Sequence, residues 1–109
     1  MPEAPLNPAQ IKKLESLLRA GFRFLTLERY ERYLAVEKSG FVALLDTSEG
    51  RLAVFSQAGL LMGGGIGMLL ESPEGKHFAY HDQRTPATPE QLASYQEFKR
   101  ELAELLGVS

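Results

Sequence analysis

Residues 59–70 read Gly59-Leu60-Leu61-Met62-Gly63-Gly64-Gly65-Ile66-Gly67-Met68-Leu69-Leu70. Four glycines occupy the five positions from 63 to 67, and every other residue of the stretch is apolar. Glycine loses more backbone entropy on folding than any other residue, so this density indicates a local requirement: a positive φ, a bulge, or close approach of another backbone or a ligand. We expect a strand over about 60–71 that is bulged or sharply bent at its glycines.

The residues after Gly67 do not fit a nucleotide-binding loop. A phosphate loop needs a lysine followed by serine or threonine, whereas Met68, Leu69 and Leu70 stand here. A dinucleotide fingerprint needs a third glycine and then a helix, but the next turn signal comes at 72–75 and leaves no room for one. A backbone-amide nest that binds an anion at 63–67 stays open as an alternative.

The glycine segment also predicts a contact with a second chain. Its apolar residues fall at both strand parities, which is typical of a strand that is buried on both faces. A single layer of helices covers only one face of a sheet, so we expect a homodimer interface here. The residues proposed for the interface, or for an anion site in its place, are Met62, Gly63, Gly64, Gly65, Gly67 and Met68.

Helices are predicted at both ends of the chain, over about 8–20 and 89–106. Each follows a capping residue and a proline, Asn7-Pro8 and Thr88-Pro89, with glutamine at the third helical position to complete a capping box. Leucines and aromatic residues recur in each at helical spacing, and a glycine follows each apolar stripe.

Short apolar runs separated by turn signals predict an antiparallel meander between the two helices. The expected strands are 22–28, 31–38, 41–46, 51–56, 60–71 and 76–81, with a tight Ser39-Gly40 turn and a loop at 83–87. Residues 28–33 read Glu-Arg-Tyr twice, a period of three that fits neither a helix nor a strand. The predicted fold is one α+β domain over 1–109: a helix, five or six antiparallel strands, and a closing helix packed on the sheet.

His77, His81 and Arg84 are the polar candidates for a site. Four residues along a strand span about 13 Å, so the two histidines are too far apart to hold one metal ion. We therefore expect no metal site.

No catalytic or cofactor motif stands out in the chain. It has no cysteine and no Gly-x-Ser-x-Gly elbow, and the carboxylates at predicted strand ends, such as Asp46, Glu71 and Asp82, are not paired by any motif. We expect a protein that is not an enzyme and takes no cofactor.

Arginine and tyrosine alternate within residues 23–33, which offers a third functional alternative. Arg29-Tyr30 and Arg32-Tyr33 supply the cations and rings of a single-strand nucleic-acid platform, together with Arg23. Glu28 and Glu31 offset that charge, so we expect no nucleic-acid partner and regard the segment as a half-buried edge strand.

The composition of the 109 residues suits a small cytoplasmic protein. The net charge is −2, cysteine is absent, and no segment has the length of a membrane span or the pattern of a signal peptide. The preference for arginine over lysine and the scarcity of asparagine suggest a bacterium with a GC-rich genome and are compatible with a thermophile. The expected role is self-association or binding of a protein partner, ahead of the anion and nucleic-acid alternatives.

Overall fold

A computed structural model describes residues 7–47, 52–54 and 58–107. The elements are α1 (Pro8–Arg19), β1 (Arg23–Leu25), β2 (Leu34–Lys38), β3 (Phe41–Asp46), β4 (Ala53–Val54), β5 (Gly59–Met62), β6 (Gly65–Ser72), β7 (Gly75–Tyr80), β8 (Gln83–Pro86) and α2 (Pro89–Leu106). The expected turn at 47–50 and the ends of the expected strand 51–56 fall mostly outside the described residues. Neither helix is long and apolar enough to cross a membrane.

The strands form one curled antiparallel sheet, which confirms the predicted fold class. Its order is β1-β2-β3-β5-β6-β7-β8, and β4 pairs separately with β3. The first half of β6 pairs with β5 and its second half pairs with β7, so the sheet changes partners along this one strand. The strand count exceeds the expected five or six because residues 60–71 make two strands and 83–86 make an edge strand instead of a loop.

Both helix starts have the predicted capping boxes. The Asn7 side chain accepts the Gln10 amide at 2.8 Å, and the Gln10 side chain accepts the Asn7 amide at 2.9 Å. Thr88 and Gln91 make the same reciprocal pair at the start of α2. Gly107 closes α2 in the left-handed region at φ 75°, where glycine carries no Cβ penalty.

The main core lies between the two helices and one face of the sheet, which we call the helix face. Its centre is an aromatic cluster made by Phe22, Phe41, Phe78, Tyr95 and Phe98, with neighbouring ring centroids 5.6–6.2 Å apart. The buried Tyr95 hydroxyl donates to the Ala58 carbonyl at 2.8 Å, and burial raises the pKa of this phenol. The contacts of Phe22, Phe41 and Phe78 with the two α2 rings thus tie the sheet side of the core to α2.

Residues 26–33 correct the expected strand boundaries. β1 ends at Leu25 and β2 begins at Leu34, and two successive turns lie between them. The Tyr30 amide donates to the Leu27 carbonyl and the Tyr33 amide to the Tyr30 carbonyl, both at 2.9 Å. Successive turns of this kind, each closed by a bond from the amide of residue i+3 to the carbonyl of residue i, bring every third side chain to one side. The Glu-Arg-Tyr period is therefore that of the turns, and not that of a strand.

The segment 26–33 covers part of the opposite sheet face, which we call the second face. Leu27 is buried there with Ala35, Val42 and Leu44, and the half-buried Tyr30 and Tyr33 pack against the same cluster. Leu61 and Ile66 join its margin. The chain itself thus supplies much of the second layer that the doubly apolar pattern requires.

The β2–β3 hairpin confirms the predicted Ser39-Gly40 turn. Both residues have positive φ, 58° and 89°, as the commonest two-residue hairpin turn requires. Glu37 holds the turn, accepting the Gly40 amide at 2.9 Å and the Arg23 guanidinium at 2.7 Å. Burial alone would raise the Glu37 pKa, but these two donors and the Arg23 charge outweigh it and hold that pKa below its usual 4.5.

We expect Glu37→Gln to lower the free energy of unfolding by about 2 kcal/mol at neutral pH, because the amide keeps one acceptor where two charge-assisted bonds are needed. Since the folded pKa is depressed, the carboxylate contributes fully above pH 4.5 and its contribution is lost as the pH falls through the folded pKa. Urea melts of both proteins from neutral to acidic pH measure this. A difference that stays constant with pH would contradict it.

Candidate functional site

The glycine run contains a hairpin turn. Gly63 and Gly64 have φ of 54° and 79°, and Met62 pairs with Gly65 across them. Two positive φ values in a two-residue loop match the right-handed twist of the flanking strands. The expected bent strand 60–71 is therefore wrong: β5 and β6 are separate strands, and two of the glycines form the turn between them.

The other two glycines of the run make room for side chains. A Cβ at Gly65 would lie 2.3 Å from the Tyr80 ring, and a Cβ at Gly67 would lie 2.2 Å from the Met62 sulfur. Both glycines lie in the β5–β6 ladder and are buried, as is Met62. Of the six residues predicted for an interface or anion site, only Gly63, Gly64 and Met68 are exposed.

The second face is open beyond the cover of residues 26–33. Along β6 this face carries Ile66, Met68 and Leu70, with Met68 37% and Leu70 48% exposed. Met68 pairs with Ala79 and Leu70 with His77 on β7, and both β7 residues are partly buried. We call these five residues the open face.

The three polar candidates divide into two places. His77 and Arg84 both line a cavity of about 210 Å³ beside the β6–β7 turn. His81 does not line this cavity; it lies in the β7–β8 turn at φ 55°, with its ring 4.2 Å from that of Tyr80. Within 7–47, 52–54 and 58–107, no group of three or more potential metal ligands comes together.

A larger cavity of about 390 Å³ lies between the β2–β3 turn and α2. Lys38 and Glu101 form an ion pair across it at 2.8 Å, and Glu97 on its wall is paired with Arg100. The charged side chains of this cavity are therefore already paired within the protein.

The arginine and tyrosine residues of segment 23–33 are separated by the fold. Tyr30 and Tyr33 are turned onto the second face, while Arg29 and Arg32 are exposed beside Glu28. Arg23 is paired with Glu37. The rings and the free cations thus do not form one continuous surface.

Sequence reasoning identified Met68, His77 and Arg84 but did not bring the last two together. Arg84 pairs with Ala79 and Pro86 with His77, so β8 places Arg84 diagonally across from His77 on the second face. The sequence of residues 83–86 does not indicate a strand, because proline is typical of a loop, and so the approach of Arg84 to His77 could not be predicted.

Comparison with known proteins gives no relative for this chain. No family model matches it, and no curated protein or solved structure matches it either.

Proposed function

We propose that this protein acts by self-association, with a second copy of the chain packed on the open face. The observation that carries the proposal is the pair Met68 and Leu70, two large apolar side chains exposed side by side on β6. Single exposed apolar residues are ordinary, but a row of them continuous with a core marks a contact surface.

The open face is suited to a copy of itself. Its five residues, Ile66, Met68, Leu70, His77 and Ala79, carry no acid and no permanently charged base. Stacking two such faces about a two-fold axis therefore buries no like charges. Antiparallel sheets pack face to face in this way, with side chains from both inner faces interdigitating.

The rim of the open face carries both charge signs. Arg84 lies on β8 and Glu74 in the β6–β7 turn, and both line the same small cavity. In a two-fold arrangement a residue of one copy meets a different residue of the other, so a rim with both signs is compatible with itself. We also propose that the protein acts in the cytoplasm, because its cysteine-free composition is typical of a reducing compartment.

We expect light scattering at micromolar concentration to give twice the chain mass, and Met68→Gln/Leu70→Gln to weaken dimerisation by at least about tenfold. Glutamine keeps the length of each side chain but leaves a polar group to be desolvated in the interface. Sedimentation velocity over a dilution series measures the dissociation constant.

Leu18→Gln is the matched control, because Leu18 on α1 is 54% exposed and lies away from the sheet. This variant should dimerise like the wild type. A wild-type mass of one chain overturns the proposal, as does a dimer that persists in Met68→Gln/Leu70→Gln.

A further inference from the structure

A small cavity lies at the end of the β6–β7 hairpin, at the margin of the second face. Its volume is about 210 Å³, and its walls include Ser72, Glu74, Lys76, His77 and Arg84. The Ser72 hydroxyl donates to the Gly75 carbonyl at 3.2 Å and so braces the turn that forms one wall.

His77, which lines the cavity, also carries an unsatisfied polar group. Its Nε2 is shielded from solvent and has no hydrogen-bond partner in the described structure. Leaving a buried polar nitrogen unpaired is energetically unfavourable, and such orphans are rare in folded proteins. The imidazole torsion is broad, so the ring can turn toward a ligand that enters the cavity.

Two cations also line the cavity. Arg84 lies on the same sheet face as His77, whereas Lys76 directly precedes His77 on β7 and so alternates to the helix face. Lys76 and Arg84 are exposed, and neither makes an ion pair among the described residues. Glu74 is the one acid among the residues that line the cavity. The lining therefore has an excess of positive charge without counting His77.

We propose that this cavity binds a small phosphate-type oxyanion. The Arg84 guanidinium, on the same sheet face as His77, supplies charge-assisted donors, and an imidazole N–H donates to another oxygen. Lys76 in the cavity wall adds positive charge. The ligand gives the orphan nitrogen of His77 the partner that the protein does not supply.

This site is distinct from the glycine turn. Gly63 and Gly64 precede β6, whereas the cavity adjoins the turn after it, and the eight residues of β6 place the two turns about 23 Å apart. Amide shifts measured on titration therefore separate phosphate bound at residues 72–77 and 84–86 from phosphate bound at 63–67.

The test is a titration with inorganic phosphate followed by amide shifts, with chloride at equal ionic strength as reference. We expect saturable shifts at the amides of residues 72, 74–77, 84 and 85, and about tenfold weaker binding in His77→Phe and in Arg84→Gln. Arg84 is exposed, so its variant stays informative if His77→Phe fails to fold.

The matched controls are His81→Asn and Arg29→Gln. The first removes the other histidine with a residue that tolerates its left-handed backbone, and the second removes one exposed cation elsewhere. Both should bind phosphate like the wild type. Shifts that do not saturate, that chloride reproduces, or that Arg29→Gln reduces as much as Arg84→Gln would overturn the proposal. Because His77 also belongs to the open face that the proposed dimer covers, the titration is carried out on Met68→Gln/Leu70→Gln as well, and saturable shifts in that variant test the site independently of self-association.

Discussion

Gly59→Ala is expected to lower the free energy of unfolding by about 3 kcal/mol, more than the usual cost of one added methyl. A Cβ at this position would lie 2.4 Å from the Gly67 carbonyl oxygen and 2.6 Å from the Ile66 Cγ2. The closest atom belongs to a strand backbone, so relief requires β5 and β6 to move apart. Urea unfolding of both proteins measures the difference.

Gly64→Ala is the control for this substitution. A Cβ there meets nothing within 4 Å, but the residue has a φ of +79°. Its expected cost is about 1 kcal/mol, which comes from backbone conformation alone. If Gly59→Ala proves no more destabilising than Gly64→Ala, the close approach of β5 and β6 is not maintained in solution.

Local sequence was sufficient to predict where the two helices begin and where the β2–β3 turn lies. Asn7-Pro8 and Thr88-Pro89 each combine a cap, a proline and a glutamine whose geometry involves only neighbours in sequence. Ser39-Gly40 is likewise a turn whose dihedral angles are set by two residues. These elements formed where the pattern predicted them.

The glycine run could not be resolved in the same way. Which of four glycines forms the turn depends on distant partners: Tyr80 occupies the space over Gly65, and the Met62 side chain occupies the space over Gly67. Only with those contacts in place do Gly63 and Gly64 become the turn. These contacts join residues that are distant in sequence, so a local sequence pattern does not predict them.

The second face shows a similar limit. The doubly apolar pattern of residues 60–70 predicts a layer on each side, but sequence cannot tell whether that layer is the same chain or another. Residues 26–33 supply part of it through Leu27 and the two tyrosines. What they leave open is the pair Met68 and Leu70, a smaller surface than the whole segment.

The cavity beside the β6–β7 turn depends on β8, a strand that the sequence analysis predicted to be a loop. Proline is tolerated at a sheet edge because its missing N–H can face outward, and β8 is the last strand of this sheet. Only this pairing brings Arg84 near His77. Both proposed surfaces thus belong to the β6–β8 part of the sheet, whose attachment to the core decides whether either one exists.

Phe78 attaches the β6–β8 part of the sheet to the core. We expect Phe78→Ala to lower the free energy of unfolding by about 4 kcal/mol. Phe78 is fully buried on β7, with its ring centroid 5.8 Å from Phe41 on β3 and 5.6 Å from Tyr95 on α2. Removing the ring leaves a cavity at the centre of the aromatic cluster, and domains of this size have only about 5–15 kcal/mol in total. Denaturant unfolding measures the loss.

Phe24→Ala is the matched control for Phe78→Ala, because Phe24 on β1 packs at the margin of the same core and is only partly buried. The same chemical change should cost less there, since a partly exposed site loses less apolar burial and leaves a smaller cavity. Equal losses in the two variants would mean that Phe78 is not the main link between β7 and the core. In that case the geometry of the open face and of the His77 cavity would have to be maintained by the β5–β6 ladder, which ends at the Leu60–Gly67 pair and contains only Ile66 of the residues that form the two surfaces.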